Sequence, residues 1–131
     1  MLYLEDVRDF ISGLDVTADE NVYMGKMDNK KEKSIGAYQL KQARAATVSL
    51  GDSGTYKVKP ISILVHWTKS ARETEKKAYE LYEKLRSVKN VEVNGTNIIY
   101  IQMLQEEPVD VDMDEKRIYE RVIEVLIYYE R

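Results

Sequence analysis

Apolar residues at every second position, Ile61, Ile63, Val65 and Trp67, place four side chains on one face of a strand spanning about 58–67. The pattern then changes period. Ser70 stands three residues before Glu73, the spacing of a capping box. Ala71, Ala78, Leu81, Tyr82 and Leu85 follow at helical spacing, with charged residues mainly on the other faces, and predict a helix over 70–86. Near the start, Leu2, Val7, Phe10, Ile11 and Leu14 share a helical face, and Gly13 is a stop signal, so residues 2–13 read as a first helix.

Between these elements, 21–26 (NVYMGK) and 35–40 (IGAYQL) read as short strands. The charged turn DNKKEK at 28–33 would join them as a hairpin. Residues 42–59 are small and polar, with Gly51 and Gly54 close together, and read as a long loop or mobile hairpin. After the second helix, VEVNGTNIIYIQML carries Asn94-Gly95, a pair suited to a type I′ turn because both central residues need positive φ. An acidic loop over 105–116 then leads to a final strand, 117–129. The order αβββαβββ predicts an α+β fold, with two helices on one face of a mostly antiparallel or mixed sheet.

That final strand has two apolar faces. Tyr119, Ile123, Val125, Ile127 and Tyr129 lie on one, and Ile118, Val122, Leu126 and Tyr128 on the other. Thirteen residues would span roughly 43 Å, whereas a globule of this length is only about 36 Å across. The strand must twist, bulge or reach beyond its domain. Either it is central and covered on both sides, or part of its second face meets another subunit.

The chain has 131 residues, 33% charged and 44% apolar, which suits one soluble domain, 1–131. It contains no cysteine, which excludes disulfides and thiolate metal sites. Glu5, Asp6, Arg8 and Asp9 interrupt the N-terminal apolar pattern and argue against a signal peptide. No stretch approaches the roughly 20 apolar residues of a membrane span. The net charge of −3 gives no basic footprint for nucleic acid.

Three motifs invite chemistry and fall short. Asp110, Asp112 and Asp114 resemble the start of an EF-hand loop. The sixth position, however, is Glu115 where glycine is needed, and the twelfth is Arg121 where a bidentate glutamate is needed. His66 is the only histidine and reads as a structural, hydrogen-bonded side chain rather than a zinc ligand. Tyrosine is abundant, ten against one Phe and one Trp, and the Tyr128-Tyr129 pair marks a candidate contact surface. No catalytic, cofactor or metal residue is assigned. The candidate assembly-interface or lumen residues are Glu106, Glu107, Asp110, Asp112, Asp114, Tyr128 and Tyr129.

Three blocks carry a family resemblance: VYMGKMDNKKEKSIGAY (22–38), ISILVHWTKSARETEKKAYELYEKL (61–85) and IIYIQMLQEEPVDVDMDEKRIYERVIEVLIYYER (98–131). Together they resemble the minor capsid or tail terminator proteins of long-tailed phages and prophages of Gram-positive bacteria. The resemblance implies a structural, non-enzymatic virion protein at the head-proximal end of the tail, assembled in the host cytoplasm. In role it resembles the lambda-type terminator, a six-membered ring that stops tube polymerisation and offers a surface for head joining. The implied partners are its own copies, with a monomer possible in solution, the tail tube protein and a head-completion protein. Sequence-specific nucleic-acid binding, membrane association and cofactors are not expected. A head-completion or connector subunit is the alternative role. A small metal-dependent hydrolase and a host-binding adaptor are competing classes, and the hydrolase lacks a phosphate loop, metal spacing and a nucleophile-base pair. In a ring the acidic segment would either line the bore and repel DNA or face outward toward a basic neighbour.

Overall fold

The computed structural model describes residues 1–25, 32–40, 55–114 and 116–130. The order is α1 (Leu4–Gly13), β1 (Val22–Met24), β2 (Ser34–Gln39), β3 (Tyr56–His66), α2 (Ala71–Arg86), β4 (Lys89–Val93), β5 (Thr96–Met103), β6 (Val109–Met113) and β7 (Tyr119–Glu130). Two helices pack on one face of a mixed seven-stranded sheet, the expected α+β class. The strands run β1-β2-β3-β7-β5-β4, with β6 also laddered on β7.

The long β7 is the spine of the sheet. Residues 120–130 pair antiparallel with β3. On its other side it serves two strands in succession, β6 along 119–122 and β5 along 125–129. Irregularities between Ile98 and Tyr100 and between Asp110 and Asp112 interrupt these two ladders. The excess length is therefore taken up by pairing within the chain.

Odd-numbered residues of β3 and β7 form the helix-side core. Ile61, Ile63, Val65, Ile123, Val125 and Ile127 are all at most 1% exposed. They share one cluster with Val7, Phe10 and Ile11 of α1 and with Ala78, Leu81 and Leu85 of α2. Leu126 and Tyr128 are also buried but stand outside that cluster, on the opposite face of β7. Lys77 and Lys84 of α2 tie the two helices' supports together, donating to the carbonyls of Val16 and Leu14.

Pro60 sits inside β3 without breaking it. Its carbonyl accepts from Leu40 on the β2 side, one residue past the last β2 pairing at Gln39 and Ile61. The ring nitrogen, which has no proton, points the same way and costs the β7 ladder nothing.

Four expectations need correction. First, β1 and β2 are parallel, not a hairpin, with Val22 beside Ile35 and Met24 beside Ala37. The direction of β1 is fixed by α1: Arg8 Nε donates to the Val22 carbonyl at 2.9 Å, and its Nη2 donates to Asp19. A local turn signal could not register this contact over fourteen residues. Second, residues 56–59 belong to β3, where Lys57 and Lys59 pair with Tyr129 and Ile127. The rest of the expected 42–59 loop, up to residue 54, lies outside the described residues, as does 28–31 of the charged turn. Third, the segment 105–116 is not all loop, because 109–113 form β6. Fourth, the extra strand makes the order αβββαββββ.

Candidate assembly surface

The candidate acidic residues lie between Leu104 and Ile118. The segment begins where Leu104 leaves β5 and donates to the Glu124 carbonyl. Glu106 and Glu107 follow, both exposed. Tyr79 on α2 donates to Glu107 at 2.7 Å, and this hydrogen bond raises the tyrosine's pKa. Tyr82 donates to the Gln105 carbonyl at 2.6 Å and anchors the turn to α2. In β6, Asp110 is exposed opposite Arg121, and Asp112 stands opposite Glu120 in the register. Arg121 is itself engaged with the Pro108 carbonyl and with Glu75.

Asp114 has a different role. Its Oδ2 lies 2.8 Å from His66 Nε2, and its Oδ1 accepts the backbone N–H groups of Lys116 and Ile118 at 2.8 and 2.9 Å. Burial pushes its pKa up, but His66 and the two amides outweigh that and hold it below the usual value. Glu120 pairs with His66 in the β3–β7 register. Burial raises its pKa, His66 opposes the rise, and Asp114 adds to it. His66 is 1% exposed, so the imidazole is a structural post and not a reagent open to substrate. Its Nδ1 has no hydrogen-bond partner among the described residues.

The aspartate triplet is divided between a strand and a turn. Asp110 and Asp112 lie on a laddered strand, and Asp114 folds back onto histidine and backbone. The two candidate tyrosines separate. Tyr129 joins the core, whereas Tyr128 lies on the opposite sheet face, stacked on Tyr100 with centroids 4.4 Å apart and hydrogen-bonded to Gln102.

Two features escaped sequence reasoning. One is a set of exposed apolar side chains on β5, β6 and the turn between them: Tyr100, Leu104, Val109, Val111 and Met113, each 39–44% exposed. The alternation V-D-V-D-M over 109–113 was the available signal of the strand, although the irregularity between Asp110 and Asp112 puts Val109 and Met113 on opposite faces. The other is a cluster of cations where the ends of β3 and β7 meet. It has no linear signal, because Lys33, Lys69 and Arg117 come from three distant segments.

The fold and surface define a class: a small α+β scaffold whose distinctive chemistry lies on outward-facing strands and turns. A family model described as bacteriophage tail terminator protein matches residues 3–131. The chain belongs to that family, and it is a structural phage tail protein and virion component. No curated protein matches the sequence. Among the described residues, no helix is long and apolar enough to cross a membrane.

Proposed function

We propose that this protein ends the phage tail tube as a ring of identical copies and presents the surface to which the head is joined. Family membership over residues 3–131 carries this reading. Its surface chemistry supports it. Exposed apolar residues on β5 and β6 and the acidic turn between them offer a surface for contacts between copies. Heterologous contacts close into rings when the rotation permits. The partners are the tail tube protein on one side and a head-completion protein on the other.

The test is tube assembly with purified components. Tail tube protein polymerised alone should give tubes of open-ended length in electron micrographs. Added terminator should stop growth and leave a cap at one end. Unchanged length distributions and bare ends would overturn the reading. Binding to isolated heads but not to tubes would favour a connector role instead.

A further inference from the structure

The β3–β7 end of the molecule carries five exposed cations: Lys33, Lys69, Arg72, Lys116 and Arg117. The backbone brings them together. Lys33 N–H donates to the Trp67 carbonyl, Trp67 and Thr68 exchange bonds with Tyr119, and the Lys116 amide is held by Asp114. None of the five side chains forms an ion pair among the described residues. Of the nearby carboxylates, Asp114 is held by His66, Glu73 accepts from Thr68 in the α2 cap, and Glu120 has its ionisation opposed by burial. Among the described residues, Glu32 beside Lys33 and Glu73 beside Arg72 are exposed. The chain as a whole has a net charge of −3, so concentrating cations here leaves the remaining surface more acidic.

The opposite pattern lies on the flank of the same sheet. Exposed Tyr100, Leu104, Val109 and Val111 lie along the chain on either side of the turn that carries exposed Glu106 and Glu107. Exposed apolar residues on either side of an acidic turn have the composition of a docking surface. We propose that the cationic β3–β7 end of one copy docks on the acidic, apolar β5–β6 flank of a second copy. The two patches are different surfaces, so each copy can use both at once, and the contact propagates head to tail. Charge complementarity identifies the occupant, since the chain itself supplies both signs. The inference rests on the ring reading above and assigns the surfaces that would form it.

Charge reversal tests this on the full chain. One variant carries Glu106→Lys and Glu107→Lys, and the other Lys69→Glu and Arg72→Glu. All four positions are exposed, so both variants should stay folded, the Glu106→Lys, Glu107→Lys variant melting slightly lower for loss of the Tyr79 bond to Glu107. The parent should self-associate in sedimentation at low salt, with association weakening as salt rises. Each variant alone should associate at least tenfold more weakly. An equimolar mixture should recover association, because the two unreversed patches attract as in the parent and the two reversed patches again carry opposite signs. Recovery fails if the contact lies elsewhere. A parent that stays monomeric at all salt concentrations, variants that associate like the parent, or a mixture without recovery overturns the proposal. So does loss of duplex DNA binding in the Lys69→Glu, Arg72→Glu variant with self-association intact, which would make the cationic end a polyanion site. The chain has no cysteine, so paired Glu107→Cys and Arg117→Cys substitutions give an independent readout. Oxidation should produce a ladder of linked copies, and its absence counts against the contact. If the charge variants cap tail tubes as the parent does, the surface assignment falls and the tail reading stands. If the parent does not cap them, the tail reading falls.

Discussion

His66 and Asp114 are 48 residues apart in sequence and meet at 2.8 Å, joining the end of β3 to the turn before β7. The bond is one of three that the aspartate accepts, and all three hold the 114–118 turn. Asp114→Asn keeps the size but loses the charge and places an amide N–H₂ where an acceptor is needed. It should destabilise the protein by about 1–3 kcal/mol at neutral pH, the cost of a buried hydrogen-bonding group left poorly matched. The sign with pH follows from the lowered Asp114 pKa. A depressed carboxylate stabilises the fold above its unfolded pKa and loses that contribution as pH falls through the folded value. The gap between parent and variant in urea melts should therefore be full at neutral pH and shrink in acid below the ordinary aspartate range. A gap that does not change with pH would mean the carboxylate's charge contributes nothing.

Glu120 should behave in the opposite way. Its pKa is raised, first by burial, so the native state favours the proton. This group lowers stability as pH rises through the unfolded value toward the folded one, and the loss persists above it. Glu120→Gln removes that penalty and should leave the protein as stable as the parent or more stable at neutral pH. A marked loss of stability would show that the charge of Glu120 is needed.

Helix α2 tests the core. Leu81 is completely buried in the cluster with Ile63 and Val125. Leu81→Ala should cost about 2–5 kcal/mol, the range for deleting a buried leucine side chain. A change below about 0.5 kcal/mol in denaturant melts, typical of surface positions, would put the helix register in doubt.

What the sequence made legible was set by local rules. The α2 boundaries followed from Ser70 and Glu73, and Ser70 does accept the Glu73 N–H at 3.3 Å. The return half of that cap is relayed, because Thr68 receives the Ser70 N–H and donates to Glu73. The Asn94-Gly95 turn has φ of 48° and 83°, as a type I′ hairpin requires. The misreadings all came from non-local pairing. Nothing near β1 encodes its alignment beside β2, which Arg8 sets from α1. The strand β6 was hidden because acidic composition outweighed the alternation of Val109, Val111 and Met113. The site was partly legible: the exposed acidic residues stood out, but the exposed apolar side chains of β5 and β6 and the cations gathered from three segments depend on the folded chain.

Asn94 does two things. It holds the turn in the left-handed region, and its Nδ2 donates to Asp6 and Asp9 of α1 at 2.9 Å each. Asn94→Gly keeps the backbone conformation but loses both bonds. Its loss of stability, about 0.5–1.5 kcal/mol, should measure the clamp alone. Asn94→Ala should lose about 1–2 kcal/mol more, because a β-carbon is strained at positive φ. If the two variants melt together, the turn conformation contributes little.

The face of the sheet away from the helices is held by a tyrosine stack. Tyr128 is 9% exposed and packs between Tyr100, parallel at 4.4 Å, and Tyr56, tilted at 5.8 Å. Its hydroxyl reaches Gln102 at 2.8 Å, which fixes the ring across the β5–β7 ladder. Burial comes first in raising its pKa, so it remains neutral and able to donate. A double-mutant cycle of Tyr100→Ala and Tyr128→Ala isolates the ring pair from the area each tyrosine buries. The coupling should be about 0.5–1.5 kcal/mol, the value of an aromatic pair beyond simple burial. Tyr128→Phe keeps the stack and removes the hydroxyl with its bond to Gln102, so it should cost about 1 kcal/mol. Additive losses in the cycle would leave burial as the whole contribution of this face.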